Sequence, residues 1–448
     1  MSETDLPWQT DIFGILPHAT EPRILMLPGE KGFCLPGFRL SERGLWVKAG
    51  LLKQEMQKKL DLEVNVLRRA YYRADLDTHR AESIYILEAH PPLAVTEGQW
   101  IGRKTLTDLP LASPAHQPII ETYFNEAEGS QVPEQRPPWG RPGWYETATA
   151  WIKAELAQLG HHVIDPIEPV RNWSLSYVLR ARTATATFYF KAGAALPLFV
   201  NEAALLSRLA ASYPDHIPMP LSIDRERHWM LLADLGEPID EKAAVTEKET
   251  LFRTFGQIQI EAAAQVKELL AIGCLDRRLD RLITQIEPLL KDPEATTELN
   301  ENEMEQLHGL IPHLKARCEQ LAGYGVPQTL VHGDLHTGNV ALFQGKMLFF
   351  DWTDACVAHP FFDVMLMMNW ENDLEIQTRL RDQYLSLWTA YEPMARLLEM
   401  WSLAQPLFAL HHAISYQQIV AGLEATAKHE LISWPSYWLR KVLKYIQP

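Results

Sequence analysis

Leu330-Val331-His332-Gly333-Asp334-Leu335-His336-Thr337-Gly338-Asn339-Val340, followed eight residues later by Leu348-Phe349-Phe350-Asp351-Trp352, departs from generic globular sequence. Gln344-Gly345 between them marks a turn joining two short strands. Two histidines, two glycines, an aspartate and an asparagine at these offsets exceed what turn chemistry asks of a polar loop. Phosphoryl transfer needs a carboxylate beside the acceptor hydroxyl and separate oxygen ligands for a cation bridging the nucleotide phosphates, because catalysis there is positioning and charge neutralisation. Asp334 fits the catalytic base, and Asn339 and Asp351 fit the magnesium ligands. His332 is expected to buttress the loop through hydrogen bonds and His336 to shape it. Asp354 is open between a turn cap and contact with metal or acceptor, and Asp363 is expected to cap or anchor the helix over 362–370.

The pattern His-Gly-Asp-x-His-x-Gly-Asn, with a later Asp in an apolar strand, resembles the catalytic loop of the aminoglycoside phosphotransferase and choline kinase superfamily, and every position of it is matched. The resemblance extends, more weakly, from about Tyr145 to the C-terminus. It implies an α+β, protein-kinase-like two-lobed fold: a small mixed β lobe for the nucleotide, expected over 145–235, and a large helical lobe holding the acceptor, over 236–448. It also implies ATP or GTP and magnesium as cofactors.

A lobe of this kind needs a cation on a strand facing the phosphates and an acidic partner on a nearby helix. Residues 173–181 and 185–191 alternate at period two across a short connection, predicting a hairpin that ends in Lys191. Glu202 falls in the first turn of the helix expected over 198–211, so Lys191 and Glu202 are the expected phosphate-side pair. The hairpin connection, 182–184, holds no glycine, which leaves open the backbone amides that approach the phosphates. No GxxxxGK[ST] sequence occurs, so a P-loop is excluded. Ala233 and Leu235, after the strand expected over 229–234, fall where the family has its interlobe hinge and would offer backbone groups to the base.

Outward from this centre, long apolar periodic stretches predict helices over 251–270, 275–290, 303–321 and from 376 onward. A further helix is expected over 145–159, ending at Gly160. The Pro- and Gly-rich stretch 126–144 reads as a linker. Before it, short strands at 23–27, 32–35, 64–72 and 83–89 surround a helix over 47–60. Leu35-Pro36-Gly37-Phe38 leading into that helix resembles the Nudix hydrolase fold, in which an LPGG-like strand end precedes a helix of the form RExxEExGL. Lys58 and Lys59 stand where that family has its paired metal-binding glutamates, Gln54-Glu55 replaces its Arg-Glu and Asp61 its helix-ending Gly. Residues 1–125 are therefore expected to be a smaller α/β, Nudix-like domain without hydrolase chemistry.

Composition sets the outer limits. With 42 Lys plus Arg against 57 Asp plus Glu, a net charge of -15, nucleic acid and anionic membrane are poor partners. Four cysteines, at 34, 274, 318 and 356, lack the spacing of a zinc or redox motif. The acidic N-terminus carries no basic and apolar leader pattern, and no apolar run spans a membrane, so a cytoplasmic protein is expected. The acid cluster Glu371, Asp373 and Glu375 would suit a cationic acceptor, unless it is an ordinary solvated face. The sequence leads to a small-molecule kinase acting on a hydroxyl. The alternative is a nucleotide-binding regulatory or scaffold protein with a kinase-like fold. The acceptor and the oligomeric state are not legible in it.

Overall fold

A computed structural model describes residues 7–42, 49–89, 97–129, 132–199, 201–240 and 243–446. The chain divides into two compact units, Met1–Ala194 with Leu423–His429, and Ala195–Gly422 with Glu430–Pro448. The architecture is mixed α and β, with small sheets and a large helical portion.

In the first unit the strands β1 (Gln9–Ile15), β2 (Arg23–Gly29), β3 (Gly32–Cys34) and β4 (Gly37–Leu40) precede helix α1 (Ala49–Leu60). Then come β5 (Val64–Asp75), β6 (Arg80–Ala89), β7 (Gln99–Gly102), a single turn α2 (Arg103–Leu106) and α3 (Gln117–Gly129). One sheet runs β4-β1-β6-β5, with β1 and β6 parallel from Gln9↔Arg80 to Ile15↔Ile86; the other, β3-β2-β7, is antiparallel. Helix α1 buries Leu52, Met56 and Leu60, one face at successive i, i+4 steps, against Ile12, Val64 and Leu87. Helix α3 buries Ile120 and Phe124 against a second cluster holding Ile15, Ile84 and Ile101. Of the helix expected over 47–60, Val47 and Lys48 lie outside the described residues.

Details of the first unit differ from the sequence expectation. Strand β1 was not expected, because Gln9-Thr10-Asp11 interrupts its apolar character, yet it lies inside the sheet with Ile12 and Ile15 fully buried. The described part of 126–144 holds packed residues: α3 continues through Gly129, Trp139 is buried with its Nε1–H donated to Trp173 O at 2.9 Å, and Arg136 is buried. Pro and Gly set its backbone, but a tryptophan and a paired arginine fix it in place. The unit closes with α4 (Trp144–Gln158) and the antiparallel ladder β8 (Glu168–Asn172), β9 (Ser176–Arg182) and β10 (Thr187–Gly193). Gly160, at φ +81°, ends the predicted helix in the left-handed region that favours glycine.

The second unit contains α5 (Glu202–Ser212), the hairpin β11 (Ser222–Asp224) and β12 (Trp229–Ala233), α6 (Val245–Ala262) and α7 (Val266–Ala271). It continues with β13 (Leu275–Asp276), α8 (Leu279–Lys291), α9 (Glu301–Ala322), β14 (Thr329–Val331), β15 (Val340–Phe343), β16 (Lys346–Phe349) and β17 (Cys356–Ala358). The last helices are α10 (Phe361–Met368), α11 (Leu374–Ser386), α12 (Met394–Gly422) and α13 (Ser433–Ile446). The helix expected from 275 starts later, because Leu275 and Asp276 pair in parallel with Cys356 and Val357. Strand β14 pairs antiparallel with β17, so the two ends of the catalytic segment, Val331 and Cys356, lie side by side. Trp352, Trp388 and Trp438 are core. No helix among the described residues is long and apolar enough to cross a membrane.

Candidate active site

The site is built on the loop between β14 and β15. His332, fully buried, follows β14 directly, and its Nε2–H donates to Phe350 O at 2.9 Å. A carbonyl only accepts, so the proton resides on Nε2 and Nδ1 faces the backbone N–H of Asp334 at 3.4 Å. Burial pushes the imidazole down to about 4, so it remains neutral and structural. This is the buttress expected from the sequence. Gly333 follows at φ +84°, and a Cβ there would stand 2.3 Å from Asp354 O, so only glycine fits.

Asp334 faces outward. Its backbone oxygen accepts Asn339 Nδ2–H at 2.9 Å, its Oδ2 lies 3.2 Å from the same nitrogen, and His336 Nε2 lies 3.5 Å from that Oδ2. The Asn339 amide therefore turns its nitrogen toward Asp334 and its oxygen away. The short 3-10 turn Thr337–Asn339 and the bond from Gly338 N–H to His336 Nδ1, at 3.0 Å, shape the loop. Phe350 N–H donates to Asn339 O at 3.1 Å, which holds the residue before Asp351 against Asn339. The β15–β16 hairpin completes the link through the pair Val340↔Phe349 and a two-residue turn with Gln344 at φ +50° and Gly345 at φ +79°. Asp334 and Asn339 are thus bonded to each other, and Asp351 follows the residue whose N–H Asn339 holds.

Asp351 has φ +64°, uncommon for a residue with a side chain. The following residues are fixed by Glu202: its Oε1 accepts Trp352 N–H and its Oε2 lies by Thr353 Oγ1, both at 3.0 Å. The Thr353 hydroxyl is also 3.0 Å from Asp351 Oδ1. Glu202 opens α5 beside its N-cap Asn201, whose side chain accepts Ala204 N–H. The acid expected on the phosphate side thus reaches the segment carrying Asp351. Lys191 belongs to the first unit, on β10 opposite Val178, and is 9% exposed. Ala233 ends β12 and Leu235 follows it, with Asp234 Oδ1 accepting Gly236 N–H at 2.9 Å.

Asp363, in the first turn of α10, does not cap its helix, which has no side-chain cap. Its two carboxylate oxygens accept His332 N–H at 2.8 Å and Gly333 N–H at 2.9 Å, anchoring the catalytic loop to α10. Complete burial pushes its carboxyl up to about 7, against the pull of those two N–H groups. Gln259, buried on α6, donates to Asp363 Oδ2 at 3.2 Å and accepts the Tyr384 hydroxyl at 2.6 Å. Neither Gln259 nor Thr353 was singled out in the sequence, and a glutamine inside a helix carries no local signal.

Asp351 and Asn339 present hard oxygens of the kind magnesium takes, and such a cation draws its remaining ligands from phosphates and water. Among the described residues no three His, Cys, Asp or Glu side chains converge as a cation cage. Two such oxygens would suit a cation that completes its coordination on phosphate oxygens, whose charge it would neutralise.

A model of the phosphotransferase enzyme family matches residues 170–397, just over half the chain. Among solved structures, the chain is similar to the choline kinase LicA from Streptococcus pneumoniae at 13% identity and TM-score 0.48, covering 67% of this chain and 98% of that one. An ethanolamine kinase from Plasmodium vivax is similar at 10% identity and TM-score 0.48, covering 73% and 94%. Macrolide 2'-phosphotransferase MphH from Brachybacterium faecium is 20% identical at TM-score 0.41, covering 63% and 97%. No curated protein matches the chain.

Proposed function

The chain belongs to the phosphotransferase enzyme family, and we propose that it is an ATP- and magnesium-dependent kinase that phosphorylates a hydroxyl group of a small molecule. In this proposal Asp334 orients the acceptor hydroxyl and takes its proton, and Asn339 and Asp351 hold the cation. Lys191 and Glu202 serve the phosphate side, and the backbone at Ala233 and Leu235 meets the base. The lobes are 145–235 and 236–448, with 126–144 joining them to a first domain, and the reaction belongs to the cytoplasm. The observation that carries the reading is the bond from Asn339 Nδ2 to Asp334, which commits the amide nitrogen to the proposed base and turns the amide oxygen away from it.

Residues 1–125 are proposed as a Nudix-like domain without hydrolase activity. The helix after the Leu35-Pro36-Gly37 strand end and the mixed sheet beneath it support the likeness. Lys58, at the helix end, pairs with Glu55 at 2.6 Å, an arrangement that neutralises a carboxylate instead of presenting it to a metal.

The test is magnesium-dependent ADP release across a panel of hydroxylated metabolites, run beside Asp334→Asn. Acceptor-stimulated release that falls by roughly 10²–10⁴ in the variant supports the kinase. Nucleotide and magnesium binding with no release by any acceptor would move the reading to a nucleotide-binding regulatory protein.

A further inference from the structure

A cavity of about 550 Å³ opens beside the catalytic loop, entirely within the second unit, and His336 and Thr337 form one wall. His336 is also the residue whose Nε2 lies 3.5 Å from Asp334 Oδ2, so the cavity adjoins the proposed base. The remaining walls are mainly apolar: Phe252 on α6, Met367 and Met368 on α10, Trp370 just beyond it, and Leu380 on α11. Two charged side chains complete the lining, Lys248 and Glu371, and they pair at 2.9 Å with 16% and 18% side-chain exposure.

The acid cluster at 371–375 suggests a cationic acceptor, but Glu371 and Asp373 are committed elsewhere. Asp373 caps α11, its Oδ1 accepting Glu375 N–H and Ile376 N–H at 2.9 and 3.2 Å. Glu371 Oε1 accepts Asn372 N–H at 3.0 Å and Asp373 N–H at 3.2 Å, while Oε2 takes the Lys248 ammonium. The bond from Lys248 holds the Glu371 carboxyl below its ordinary value, so it stays ionised and matched by one cation. An incoming ammonium would have to displace Lys248, exchanging one ion pair for another while leaving a lysine beside the new cation. An ammonium also has three N–H groups, and the one committed to Glu371 leaves Lys248 able to donate to a ligand oxygen.

We infer that Lys248 sets the charge preference of the acceptor pocket: by keeping Glu371 paired, it makes the pocket take an uncharged, partly apolar hydroxyl compound over a cationic one. This inference rests on the kinase reading for the identity of the pocket, but its test does not depend on turnover. Lys248 is a specificity determinant and takes no part in the chemical step.

The probes are choline and 3,3-dimethylbutan-1-ol, which match in shape and differ by one charge. Saturation-transfer NMR with the full chain, both compounds competing in one sample, gives the ratio of their affinities. The expected ratio favours the neutral alcohol by at least roughly tenfold. In Lys248→Met, which leaves Glu371 without its cation in an apolar cavity, the ratio moves toward choline by a similar factor. Adding Glu371→Gln to that variant returns the preference to the neutral alcohol, and this double variant keeps the test valid if the single one folds poorly. Tighter binding of choline by the unsubstituted chain, a ratio unmoved by Lys248→Met, or no binding of either compound would overturn the inference. ADP release from the same samples is read separately. Its absence with the affinity ratio intact would count against the kinase reading and leave the charge preference standing.

Discussion

Glu202 Oε1 accepts the backbone N–H of Trp352 at 3.0 Å, so a carboxylate at the start of α5 holds the strand end that carries Asp351. Glu202→Ala leaves that buried N–H without its acceptor, at a cost of about 1–3 kcal/mol. The expected result is a lower unfolding midpoint and a fall in magnesium-dependent ADP release of at least roughly tenfold. Glu202→Gln keeps an oxygen for Trp352 and should lie between the variant and the parent. Equal stability of all three proteins in urea would show that the contact contributes nothing.

Gly333→Ala should be the most damaging single-methyl change in the catalytic loop. The backbone is at φ +84°, and the added carbon would meet Asp354 O at 2.3 Å, a backbone atom that cannot rotate away. Strain of roughly 1–3 kcal/mol from the backbone conformation adds to the clash. Denaturant titration would detect the loss, and ADP release should fall with it because Asp334 is the next residue.

Much of this site is legible in the sequence because it is local. Asp334 and Asn339 are five residues apart on one loop, and Asp351 follows a hairpin whose turn, Gln344-Gly345, announces itself by residue type. Contacts between distant residues leave no such trace. Asp363, on α10, reaches back to His332 over β15, β16 and β17, Gln259 arrives from α6, and Lys248 meets Glu371 from far along the chain. Strand β1 was hidden for a related reason: its place between β4 and β6 is decided by pairing partners, while its own first residues are polar.

The buried histidines predict acid lability. Burial holds His332 down to about 4, and His359 and His412 down to about 3, against an ordinary value near 6.5. Each folded-state value is depressed, so each neutral ring contributes stability that is present above about 6.5 and lost as pH falls toward its folded value. The slope is about 1.4 kcal/mol per pH unit for each group within that window. Asp363, pushed up to about 7, opposes them by favouring the folded state as pH falls, but it is one group against these three and His411, which burial also holds down. The melting temperature should therefore drop between pH 6.5 and 5. His412→Phe, which keeps a ring against Phe408 and Trp438, should flatten that dependence. An unchanged slope in this variant would remove His412 from the explanation.

In the first unit, Glu424→Ala should destabilise by about 3 kcal/mol or more. Arg136 donates to Glu424 through Nε at 3.1 Å and Nη2 at 2.5 Å, and both side chains are only 7% exposed. Glu126, at 2.8 Å from Arg136, also binds Arg68 at 2.7 Å, so it cannot fully replace the lost carboxylate. Hydrogen exchange of the β5 and α3 peptides should accelerate in the variant, with Glu424→Asp retaining part of the protection.

The provenance of Glu424 bears on how the chain is made. Leu423–His429 pack with Met1–Ala194, although they are translated after nearly all of the second unit. On the ribosome, Arg136 emerges long before the carboxylate that neutralises it, and Tyr72 before the His429 ring it stacks on at 5.4 Å. Domains usually complete themselves in the order of synthesis. Here the first unit to emerge is the one that must wait, held incomplete until a short segment between α12 and α13 arrives to finish it.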